Sequence, residues 1–150
     1  MNIKLYMDWP CRFVQESDGV SVTIFNDGSC KELTDTINTC GSTTKEAENM
    51  AVSAIIDTAE YFFERRMIFP KARSVEDGDV VISIPLHVAL KIALHNIMIS
   101  ERYRAVDIYK NVEGGSSQKF NQDMKLRKVT KFETLAKYFC VVGHNLNIEF

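Results

Sequence analysis

At 150 residues, 45% hydrophobic and 25% charged, the chain has the composition of a folded globular protein and length enough for one domain or two small ones. No apolar run reaches the ~18 residues that span a bilayer, because Glu48, Asn49, Asp57, Glu60 and Glu64 interrupt the best helical candidate. Residues 1–8 also lack the basic-then-apolar order of a secretion signal, so the expectation is a cytoplasmic protein with no membrane association. The net charge of −2 conceals a boundary: residues 1–85 carry 8 basic and 14 acidic side chains (−6), whereas residues 86–150 carry 10 and 6 (+4). A basic half favours polyanions and an acidic half favours basic proteins, although a net charge of this size also serves solubility alone.

The chain opens with two β-rich runs, 10–15 and 20–25, separated by Glu16-Ser17-Asp18-Gly19, whose Asp-Gly pair signals a hairpin. A third strand is expected near 35–40, after a loop punctuated by Asn26-Asp27-Gly28-Ser29. Thr43 and Glu46 then stand at capping-box spacing and start a helix. Its apolar face is read as Ala47, Met50, Ala51, Ala54, Ile55, Thr58 and Phe62. Asp57, Glu60 and Glu64 form a separate acidic edge, readable as a docking surface for a basic partner or simply as the solvated face. The helix stops before Phe69-Pro70, and a turn at 74–79 leads into a strand at 80–84, giving the order βββαβ.

Four cysteines, Cys11, Cys30, Cys40 and Cys140, have no CxxC spacing, and three histidines, His87, His95 and His144, fit no zinc pattern. The expectation is reduced thiols and no metal or cofactor. Asp8, Asp18, Asp27 and Asp35 fall mostly in turns or strand ends, where Asp is favoured for local hydrogen bonding, so they are not expected to form a catalytic site.

In the second half, residues 86–100 carry Leu86, Ala89, Leu90, Ala93, Leu94 and Ile97 at helical spacing, with His87, Lys91 and His95 aligned as a polar seam expected to be an exposed edge. A short helix at 104–112 with Ala105, Ile108 and Val112 on one side ends at Glu113-Gly114-Gly115-Ser116-Ser117. The next helix, 117–126, points Phe120 and Met124 inward and Gln118, Lys119, Asn121, Gln122 and Lys125 outward. Gln and Asn can read adenine edges and Lys can meet guanine or phosphate, so this suits a recognition helix in a major groove. Ser116, Ser117, Arg127, Lys128 and Lys131 complete the candidate DNA surface. Helix pairs with a glycine turn are also common packing units, so spacing alone leaves both readings open. A helix at 132–142 and a strand at 145–150 close the chain.

Cys40-Gly41-Ser42-Thr43-Thr44-Lys45-Glu46-Ala47, Phe69-Pro70, and the stretches 81–96, 126–132 and 146–150 together resemble the HicB-type antitoxins of bacterial HicAB toxin–antitoxin systems over nearly the full length. The resemblance implies an α+β protein with a degenerate RNase H-like toxin-binding domain at 1–84, lacking nuclease carboxylates, and a helix-turn-helix DNA-binding domain at 85–150. It implies a small, basic, RNA-cleaving HicA-type toxin as partner, operator DNA as ligand, a homodimer or homotetramer, and no enzymatic activity. Two departures stand out. Residues 26–39 form a longer loop than usual, and Gly114-Gly115 adds a residue to the turn between the DNA-reading helices. The rival readings are a stand-alone phage-type transcriptional repressor and an active RNase H-like nuclease.

Overall fold

Period-two alternation builds the first hairpin: β1 (Asp8–Glu16) runs antiparallel to β2 (Gly19–Phe25) across the Ser17-Asp18 turn, with Cys11 opposite Ile24 and Phe13 opposite Val22. In the computed structural model, which describes residues 1–146, β2 pairs with β3 (Thr36–Gly41) and β1 with β4 (Val80–Ser83). The result is an antiparallel sheet of order β3-β2-β1-β4. Trp9, Cys11, Val20, Val22, Ile24 and Ile37 are buried on one face, while Arg12, Val14 and Ser21 lie on the other.

Helix α2 (Thr44–Glu64) covers the buried face. Thr43 caps it, its Oγ1 accepting from the Glu46 N–H at 3.1 Å. Gly41 precedes it because a Cβ there would lie 2.4 Å from the Ala47 nitrogen, so only glycine lets the end of β3 meet the first helical turn. The face turned to the sheet is Ala47, Ala51, Ile55, Ile56, Ala59 and Phe62. Met50, expected inside, is 41% exposed instead; the buried stripe is rotated toward Ile56 and Ala59.

A single helical turn, α1 (Lys4–Met7), had no sequence signal beyond Ile3 and Tyr6, which it buries. Trp9 follows, fully buried, donating from Nε1 to the Tyr6 carbonyl at 2.8 Å and meeting Phe69 edge-on at 5.7 Å. Phe69 also meets Phe62 edge-on at 5.3 Å. Each such side chain contributes about 1.5–3 kcal/mol by leaving water.

Helix α3 (Leu86–Ser100) is apolar around most of its circumference, and every residue from Val88 to Asn96 is buried. This corrects the exposed-edge expectation for its polar seam: Lys91 and His95 are inside, and only His87 is half-buried. A helix wrapped on all sides has no solvated stripe to give its polar residues, so each must find a partner. Asn96 Nδ2 donates to the Phe69 carbonyl at 2.8 Å, and its Oδ1 accepts from the Phe69 N–H at 2.9 Å. His95 Nε2 lies 2.7 Å from the Met67 carbonyl, with its ring stacked on Phe63 at 4.1 Å.

Three shorter helices follow: α4 (Ala105–Tyr109), α5 (Ser117–Asp123) and α6 (Phe132–Val141). Helix α5 ends three residues before the expected Leu126. Leu126 is drawn inward, and Thr130 Oγ1 donates back to the Asp123 carbonyl at 2.8 Å, which folds residues 124–131 into a tight return. Of the strand expected at 145–150, Asn145 and Leu146 carry no strand and 147–150 lie outside the described residues. Buried apolar side chains from Ile3 to Val142 form one continuous cluster. Among the described residues no helix is long and apolar enough to cross a membrane.

Candidate nucleic-acid and protein-binding surfaces

Ser116 ends the glycine turn and caps α5, its Oγ accepting from the Lys119 N–H at 3.1 Å. Phe120 and Asp123 face inward, Phe120 meeting Tyr138 edge-on at 5.0 Å. Ser117, Gln118, Lys119, Asn121 and Gln122 all remain exposed on the opposite side. Lys125, Arg127, Lys128 and Lys131 are likewise exposed on the return that follows. The ten residues singled out for DNA therefore occupy one cap, one helix face and one adjoining loop.

Asp123 organises this face from beneath. Its carboxylate accepts from the Tyr138 hydroxyl at 2.6 Å and from Lys119 Nζ at 2.8 Å, with Lys128 Nζ at 3.8 Å. Burial works to raise the Asp123 carboxyl, but the bonds from Lys119 and Tyr138 prevail and hold it below the usual carboxylate range. Lys91, fully buried, donates from Nζ to the carbonyls of Lys125 and Lys128, both at 2.6 Å. Burial pushes its ammonium down to about 8, against the attraction of Asp123. Sequence reasoning passed over Asp123 and read Lys91 as an exposed edge, yet a signal existed: Lys91 is the one charge inside Val88-Ala89-Leu90-Lys91-Ile92-Ala93-Leu94.

The turn between α4 and α5 requires both its glycines. Gly114 has φ +72°, in the left-handed region, and a Cβ on Gly115 would lie 2.2 Å from the Tyr109 carbonyl oxygen. The chain thus reverses directly against the end of α4.

Asp57 and Glu64 are exposed on α2 and Glu60 is half-exposed. Two of these three acids are engaged within the chain. Arg127 donates from Nε to Glu60 Oε1 at 2.9 Å and from Nη2 to Asp57 Oδ1. A candidate DNA cation and two candidate protein-binding acids therefore meet each other, along a groove of about 490 Å³ lined in part by Phe63, Glu64, Asn121 and Met124. Lys125 and Lys131 have no acidic partner within 4.0 Å among the described residues.

The acids of the first half do not converge. Asp27 bonds its own loop at Ser29, and Asp8 accepts from the Ser83 hydroxyl at 2.7 Å. Asp79, in the DxD spacing of Asp77-Gly78-Asp79, is taken by Arg12 at 3.2 Å and Arg73 at 3.1 Å. Among the described residues no group of three or more His, Cys, Asp or Glu side chains is placed to hold a metal ion.

An antiparallel sheet under one helix is thus followed by a small helical cluster with an exposed basic face. Residues 29–93 match the family model described as the HicB-like antitoxin of bacterial toxin–antitoxin systems. The chain is 30% identical over 110 residues to Antitoxin HicB 1 of Photorhabdus laumondii, covering 73% of this chain and 69% of that protein. Antitoxin HicB 2 of the same organism is 26% identical over 73% of this chain and 77% of its own length. For Antitoxin HicB of Escherichia coli K12 the figures are 24%, 73% and 79%. The chain belongs to the HicB antitoxin family.

Proposed function

We propose that the chain is a non-enzymatic cytoplasmic antitoxin that occludes a small, basic, HicA-type mRNA-cleaving toxin with residues 1–84. In the same proposal, residues 85–150 bind operator DNA and repress the chain's own operon from a homodimer or homotetramer. Family membership carries the antitoxin role. The division into a degenerate RNase H-like unit and a helix-turn-helix unit is supported by the βββαβ order of the first part and by the α4–glycine turn–α5 pairing of the second. The DNA role is supported by the exposed Gln118, Lys119, Asn121, Gln122 and Lys125 around α5, with phosphate contacts assigned to Ser116, Ser117, Arg127, Lys128 and Lys131.

The toxin surface is assigned to the acidic edge Asp57, Glu60 and Glu64, by complementarity to a basic partner. Occlusion needs no chemistry from the antitoxin, only a surface that covers the toxin's substrate-binding face. Co-expression with any short basic reading frame neighbouring its gene tests this: the chain is expected to restore growth and co-purify with that product. A toxic neighbour that remains toxic and does not co-purify refutes the antitoxin reading and leaves the stand-alone repressor.

A further inference from the structure

The proposed DNA face and the acidic edge of α2 are not independent surfaces. Among the described residues, Arg127 is the only one of the candidate DNA cations whose ion pairs reach α2, some 70 positions earlier in the chain; Lys119 and Lys128 pair within their own segment, with Asp123. The guanidinium meets two carboxylates at once, Asp57 and Glu60, one helical turn apart on α2. All three side chains keep between 44% and 67% exposure, so the clasp is solvent-accessible and reversible.

We propose that the Arg127–Asp57–Glu60 clasp is an autoinhibitory contact, in which two carboxylates of α2 compete with DNA phosphates for the guanidinium that follows the DNA-reading helix. Binding DNA through Arg127 then requires breaking two intramolecular contacts, and the phosphate displaces side-chain carboxylates rather than solvent. By linkage, a cationic protein seated on Asp57 and Glu60 raises DNA affinity through the same release. The inference rests on the DNA-binding reading above and adds to it the residues that hold that activity down.

The test measures affinity and salt dependence for duplex DNA from the region upstream of the chain's own gene, using the full chain. The expected result for D57N/E60Q is binding about three- to fivefold tighter, the scale of exposed ion pairs. Its logarithmic salt dependence should steepen by about one counterion, since Arg127 then arrives unpaired. E64Q is the control for bulk charge, compared per carboxylate removed, because Glu64 lies on the same edge without touching Arg127. In an R127A background, D57N/E60Q should gain no more free energy per carboxylate removed than E64Q does.

Equal gains per carboxylate removed from D57N/E60Q and E64Q overturn the clasp while leaving DNA binding intact. So does undiminished affinity in R127A when K119A/K131A binds more weakly. If the wild-type chain and every variant fail to bind DNA, the DNA reading itself falls and the clasp falls with it.

Discussion

On one buried helix, Lys91 lies one turn before the adjacent His95 and Asn96, and they bond in two directions: Asn96 and His95 to the segment after α2, Lys91 to the loop after α5. All three are buried, so the protonation of His95 and Lys91 is tied to folding. Burial holds His95 and His87 below the ordinary 6.5, with the charges of Arg66 and Lys91 respectively adding to the effect. A depressed histidine contributes stability that is complete above about 6.5 and lost as pH falls, because the unfolded chain then binds the extra proton. The unfolding midpoint is therefore expected to drop between pH 7 and 5, and H95Q to remove part of that slope. An identical slope in H95Q would show that His95 takes no part. Lys91 acts in the alkaline range. Its native value of about 8 lies under the ordinary 10.5, so its burial penalty is relieved as pH rises through that window, a limb that K91M should lack.

At the level of elements, the glycine turn fixes how α5 is presented. Gly115→Ala puts a methyl group into the Tyr109 carbonyl, and the turn must open to accept it. The expected outcome is a loss of stability of about 2 kcal/mol or more by chemical denaturation. Gly114→Ala faces empty space and is limited to the left-handed backbone cost of about 1 kcal/mol. Equal effects at the two positions would argue against this packing. The four strands of the sheet, α2 and its Thr43 cap, and the start of α3 after Pro85 were legible in the sequence, because alternation, capping spacing and a bounding proline are local signals. The environment of α3 was not. Whether Lys91 and His95 meet water depends on elements that close over them from both ends of the chain, and that is a long-range fact. The same reason hid Asp123 and shortened α5. It also concealed the meeting of Arg127 with Asp57 and Glu60: each was picked out for a surface role, and only the fold brings them together.

Across the whole molecule, charge separates by segment while the core does not. The acidic first half and basic second half share one apolar cluster, to which α3 contributes Val88, Ala89, Leu90, Ile92, Ala93 and Leu94. Family membership defines the class of activity, and the exposed α5 face and acidic α2 edge are candidate surfaces for the two proposed ligands. Occlusion of the proposed ribonuclease toxin is read out by an RNA-cleavage titration. The purified neighbouring toxin is assayed on mRNA with increasing amounts of the chain. Cleavage is expected to stop at a fixed stoichiometric ratio, and D57N/E60Q/E64Q to move the titration to higher antitoxin concentration. Cleavage that continues undiminished in excess wild-type chain would contradict occlusion.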